Sequence, residues 1–295
     1  MKVLQMKKSA RLSLGVKTAL GILDVEAASA GLRLEVPLSM RQLIDSGESG
    51  LATLRELSDR ARGQGLREWF VDEAMASFGP VITNPEKILC VGLNYANHAQ
   101  ESKMELPTSP ILFSKFNNAL AGHKEAVHLP KAAVKFDYEA ELVLVIRKTA
   151  RNVNKEEALS YVFGYSAGND LSARDLQFRT GQWLLGKTCD GFAPLGPYLV
   201  TTDELEDPGR LEVQCKVNGE LRQSGNTREM IFDCPTLISY ISQHMTLQPG
   251  DVIYTGTPDG VILGYPESDQ KWLKPDDTVE VSIERIGTLV NQLVN

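Results

Sequence analysis

The chain has 295 residues, 42% hydrophobic and 23% charged, with a formal net charge of −7 and a pI of about 5.3. That length supports one large core or two domains. No stretch gathers the Lys and Arg needed to track phosphates, which excludes nucleic acid as an expected partner, and no window nears the roughly 18 apolar residues of a membrane span.

The basic start (Lys2, Lys7, Lys8, Arg11) lacks the apolar run of a signal peptide. Cys90, Cys189, Cys215 and Cys234 lie far apart with no CxxC pair. They fit neither a disulfide framework nor a zinc site. Read as reduced thiols, they lead to the expectation of a cytoplasmic protein.

Residues 1–83 read as a small α/β domain. Strand-like runs at Lys2–Gln5, Leu12–Val16 and Gly21–Val25 precede helical patterns at Ser39–Asp45 and Leu51–Arg62. Leu51, Leu54, Leu57 and Ala61 recur at helical spacing, and Gly63-Gln64-Gly65 is a helix stop. Thr83-Asn84-Pro85 is a turn and the expected boundary. Residues 84–295 then show many short apolar runs separated by Gly and Pro. Strands are predicted at Ile88–Gly92, Ile111–Phe113, Tyr138–Ile146, Phe163–Gly168, Gly196–Thr201, Leu211–Val217, Asp251–Thr255 and Thr278–Ile283. Helices are predicted after Asn154, with Glu157 completing a capping box, and from Pro235. Asn218-Gly219 is a hairpin turn. Strands outnumber helices and do not alternate with them, so the fold class is α+β, β-dominated.

The Tyr138–Ile146 run carries the sharpest signal. Alternate residues of a strand share a face, so Glu139 and Glu141 point with Val143 and Val145, while Ala140, Leu142, Leu144 and Ile146 line the other side. Both faces read as apolar. Two like charges buried there lose hydration and repel, at several kcal/mol each. A divalent cation answers that cost; a solvated edge beside Lys135 or Arg147 is the competing account. Asp170, at the end of the next strand, gives a third carboxylate, while Ser172 and Asp175 read as a capping box. An all-oxygen set of Glu139, Glu141 and Asp170 suits Mg²⁺ or Mn²⁺, with Ca²⁺ an acceptable stand-in in crystals.

His98 and Glu101 stand three apart on a short predicted helix, where a carboxylate can orient an imidazole as general base; a surface pair has the same spacing. Lys187 follows an apolar run and can hold an oxyanion or simply snorkel. Thr257 lies in a Gly/Pro turn that lacks the P-loop pattern.

Taken in order, VGLNYANHAQE, PILFSKF, DYEAELVLVI, NDLSARDLQ, QWLLGKTCDGFAPLGP, VNGELRQSGNT and LQPGDVIYTGTPDGV resemble the fumarylacetoacetate hydrolase superfamily from about Lys87 to the C-terminus. The resemblance implies a mixed β-roll catalytic domain after a small N-terminal domain, usually as a homodimer. It implies Mg²⁺ or Mn²⁺ on Glu139, Glu141 and Asp170, and water activation by His98 and Glu101. It also implies substrate contact by Lys187, and substrate-side roles for Arg174, Gln177 and Thr257. Departures from the pattern are Cys189 for a common aromatic, Ile262-Leu263-Gly264 where a glycine comes earlier, and Asp276 for a turn glycine.

The leading expectation is hydrolysis of a C–C bond in a β-diketo acid such as an acylpyruvate or fumarylpyruvate. Alternatives are oxaloacetate decarboxylation and isomerisation of unsaturated 2-oxo acids such as 2-hydroxyhepta-2,4-diene-1,7-dioate. A non-catalytic protein binding a metal or small acid is the remaining class.

Overall fold

The computed structural model describes residues 1–9, 11–64, 67–101 and 105–295. Among them, a twelve-stranded mixed sheet runs through the molecule. Its N-terminal flank is an antiparallel run of Lys2–Lys8, Arg11–Thr18 and Gly21–Asp24. Lys2–Lys8 then pairs with Ala193–Thr201, and the order continues through Val162–Asn169, Ala140–Ile146, Val252–Tyr254, Ile88–Gly92 and Ile111–Lys115. A second, five-stranded sheet holds Glu220–Asn226, Glu212–Val217, Thr278–Ile283, Gly287–Val294 and Val127–His128. This is the β-dominated α+β architecture that the pattern predicts.

Ala140–Ile146 is buried along its whole length, on both faces. Leu142, Leu144 and Ile146 pack with Val213, Val281 and Leu289 of the second sheet. Val143 and Val145 pack with Val3, Leu14, Leu43, Leu54 and Leu57 of the N-terminal part. The period-two alternation therefore separates two cores, and the face bearing the glutamates continues into the N-terminal one.

Local differences have local causes. Asp24 caps a helix at Val25–Leu32 by accepting from Ala27 N–H, where the pattern suggests a strand ending at Val25. The two predicted helices both form within Met40–Gln64 and are separated at Gly47, whose non-helical φ of 55° suits glycine. The Gly65 of the predicted stop lies outside the described residues. Residues Lys155–Tyr161 form a 3₁₀ helix without a side-chain bond from Asn154. Asp233 caps Cys234–His244, placing Pro235 in its first turn. Asn218 and Gly219 both have positive φ, as a tight hairpin turn requires. Asp276 has a φ of 74°, which explains why glycine suits that position.

Candidate active site and metal centre

Strand pairing assembles the acids. Ala140–Ile146 and Val162–Asn169 run antiparallel with Glu141 opposite Gly168 and Ala140 opposite Asn169. The turn beyond is closed by Asn169 Oδ1 accepting from Glu139 N–H at 3.0 Å, and by Asp170 N–H donating to Glu139 O at 2.9 Å. Carboxylate oxygens of Glu139, Glu141 and Asp170 thereby lie within 4.8 Å of one another, all buried. The capping box expected next to them is not formed. Ser172 Oγ donates back to Asp170 O, and Asp175 accepts from Val134 N–H. Each group meets a nearer partner than the helix end.

Charge around the trio is dense. Burial pushes Glu141 well above the usual carboxylate range, and Asp170 and Glu139 push it further; the Gly256 N–H at 2.7 Å offsets this only in part. Burial also raises Glu139, but Lys187 and Arg174 outweigh it and hold this carboxyl low. Lys187 Nζ donates to Glu139 Oε2 at 2.6 Å and to Asp170 Oδ2 at 3.0 Å. Burial lowers Lys187, and Asp170 and Glu139 reverse that, so it stays charged. Three hard oxygen donors converge, and Glu141 has no ion pair among the described residues, which makes a carboxylate site compatible with Mg²⁺ or Mn²⁺.

A cavity of about 690 Å³ opens onto this cage. Its lining includes Glu139, Glu141, Arg174, Gln177, Lys187, Thr257, His98 and Glu101, while Asp170 lies behind. On the helix Ala96–Glu101, His98 Nδ1 is 2.8 Å from Glu101 Oε1. The second oxygen of Glu101 accepts from Gly260 N–H at 2.9 Å, so the carboxylate is fixed at both ends. Thr257 Oγ1 donates to Ala140 O and accepts from Gln223, which ties it to the strand bearing the glutamates.

Two buried charges escape the sequence reading. Asp137 is fully buried and accepts from the Ile262 and Leu263 amides and from Arg174. Arg174 also reaches Glu139 Oε1 at 2.8 Å and Gln177 Oε1 at 2.9 Å, so its guanidinium is spent on the cage. Lys115, at the end of Ile111–Lys115, lies with its Nζ 2.5 Å from Asp170 Oδ1. An acid and a lysine interrupting apolar runs are the available signals; their partners are remote in sequence.

A family model described as fumarylacetoacetate (FAA) hydrolase C-terminal matches residues 87–294. The mitochondrial oxaloacetate tautomerase Fahd2a of Rattus norvegicus is 39% identical over 275 residues, covering 93% of this chain and 84% of its own. Among solved structures, fumarylacetoacetate hydrolase from psychrophilic Exiguobacterium antarcticum superposes with a TM-score of 0.80 at 35% identity, over 100% of this chain and 99% of the other. Maleylpyruvate hydrolase from Sphingobium sp. SYK-6, in complex with manganese(II) and pyruvate, gives 0.78 at 30% identity over the same shares. The cytoplasmic expectation is corrected by these findings: the rat relative and the Xenopus laevis and human tautomerases are mitochondrial. All four cysteines are free, but free thiols report a reducing environment and do not distinguish one reducing compartment from another.

Proposed function

The chain belongs to the fumarylacetoacetate hydrolase family as a divalent-metal-dependent enzyme acting on small organic acids, and from that premise we propose that it interconverts the keto and enol forms of a 2-oxo acid, oxaloacetate being the favoured substrate. The observation that carries the reading is one cavity holding both a carboxylate cage and a fixed His–Glu dyad. Tautomerisation needs a held 2-oxo acid and a base that moves one proton; it needs no attacking water. The names of the tautomerase relatives support it over the C–C hydrolysis that the residues alone bring forward.

With Nδ1–H donated to Glu101, His98 keeps a free lone pair on Nε2, the form a general base requires. Glu101 is pinned by Gly260 and cannot swing away, so the tautomer is held. His98 takes a proton from C3 of the keto acid as the C2=C3 bond forms, then delivers that proton to the C2 oxygen of the enolate to give the enol; the reverse direction takes it from the enol oxygen and returns it to C3. Lys187 supplies fixed positive charge beside the oxygen on which negative charge develops. A Mg²⁺ or Mn²⁺ held by Glu139, Glu141 and Asp170 would chelate the 2-oxo acid and stabilise that charge as a Lewis acid. Asp137, Glu139, Glu141 and Asp170 face Lys115, Arg174 and Lys187, four negative charges against three positive, a surplus that a divalent ion would offset. Hydrolysis is the second reading, supported by the solved hydrolases and by a dyad equally able to activate water. A homodimer is the proposed assembly.

The test follows the ultraviolet absorbance of enol-oxaloacetate with Mn²⁺ and then with EDTA, beside acylpyruvate and fumarylpyruvate. The expected outcome is metal-dependent ketonisation well above the buffer rate, lowered at least 10²-fold in His98→Ala. Ketonisation at the buffer rate sinks the reading, and turnover of an acylpyruvate alone transfers it to hydrolysis.

A further inference from the structure

We propose that Lys115 is a positioning residue that aims the metal ligand Asp170 and sets the affinity of the cage for its ion. Lys115 is buried at the end of its strand, and its ammonium donates to Leu171 O at 3.0 Å, to Phe192 O at 2.6 Å and to Lys187 O. Asp170 Oδ1 stands 2.5 Å from the same nitrogen as its counter-ion, so four oxygens share the three N–H donors of this ammonium. The carboxylate is thus divided: Oδ1 rests against Lys115, and Oδ2 faces Lys187 and the other acids. The carbonyls that Lys115 grips belong to the residue following Asp170, to Lys187 itself, and to the residue before Ala193–Thr201. One buried charge therefore fixes both the side chain of a metal ligand and the backbone of the site lysine.

A strut that served folding alone could be neutral and need no carboxylate. Here the positive charge meets the Asp170 oxygen opposite the one that Lys187 holds, so it fixes the direction of the carboxylate and leaves Oδ2 to the cage.

The inference rests on the cage reading, and the experiment separates the two. Mn²⁺ binding is measured by isothermal titration for the native chain, Lys115→Met, Asp170→Asn, the double variant and Glu141→Gln, with Ser242→Ala as a control. Ser242 is a buried hydrogen-bonding serine on Cys234–His244 with no contact to the cage. Lys115→Met is expected to weaken Mn²⁺ at least tenfold, and Ser242→Ala to leave it within twofold. Asparagine keeps an oxygen for the ion, so Asp170→Asn stays measurable. If Lys115 acts through Asp170, the double variant binds no more weakly than Asp170→Asn alone. That comparison also decides the matter should Lys115→Met fail to fold, because the double variant removes both buried charges together. A folded Lys115→Met with native affinity, or a double variant more than threefold weaker than Asp170→Asn, overturns the inference. Unchanged binding in Glu141→Gln overturns the cage itself.

Discussion

At the residue scale, the site is an exercise in neutralising buried acids, and Asp137 shows its cost most plainly. It touches no open part of the cavity, yet its two oxygens accept from Tyr138, Ile262 and Leu263 amides and from Arg174. Arg174 in turn holds Glu139, so Asp137 acts on a metal ligand at one remove. Asp137→Asn replaces an acceptor by a donor facing donors and leaves Arg174 with half its counter-charge. Breaking one side of a buried pair costs about 3–5 kcal/mol, and the urea midpoint should fall accordingly. An unchanged midpoint would mean that the Ile262–Leu263 turn and Arg174 are held by other means.

At the element scale, what matters is how the turn after Val252–Tyr254 closes over the dyad. Gly260 donates to Glu101, Ile262 and Leu263 donate to Asp137, and a Cβ added at Gly264 would lie 2.5 Å from Glu101 Cδ. Gly264→Ala therefore pushes Glu101, whose carboxylate has two partners to lose, rather than the core. We expect kcat to drop about 10²-fold, the scale of a 1 Å misplacement, with stability changed by no more than about 1 kcal/mol. Native kcat in a folded Gly264→Ala would show that Glu101 has room to adjust. The same elements mark how far the sequence could be read. The alternation in Ala140–Ile146 was legible because side-chain direction in a strand depends only on parity. His98 with Glu101, and Asn218 with Gly219, were legible because their partners are local. Lys115 and Asp137 were not, since their partners lie 55 and 37 positions onward and meet them only through sheet register. Ser172 misled for the opposite reason: a local capping pattern lost to the nearer Asp170 carbonyl.

At the scale of the whole molecule, the chain divides in sequence more clearly than in packing. We propose that Thr83-Asn84-Pro85 separates two units that share one core, because the glutamate-bearing face of Ala140–Ile146 packs with Val3, Leu14 and Leu54. A second junction lies at His123. Its ring meets Phe78 of the N-terminal part edge-on, with centroids 4.8 Å apart, and its Nδ1 accepts from Val290 N–H of the second sheet at 3.0 Å. Burial lowers its pKa from 6.5 to about 4, Lys124 lowers it further and Glu73 opposes. The folded protein thus resists a proton that the unfolded chain accepts. The unfolded state binds more protons between those two values, so stability is full above pH 6.5 and is lost as pH falls toward 4. Allowing for solvent screening, the loss from this group is at most about 2 kcal/mol. His123→Asn keeps an acceptor for Val290 and removes the titration. Its melting temperature should start lower, through lost packing on Phe78, but fall less than that of the native chain between pH 7 and 4.5. Parallel decline in the two proteins would assign the acid sensitivity to the carboxylates instead.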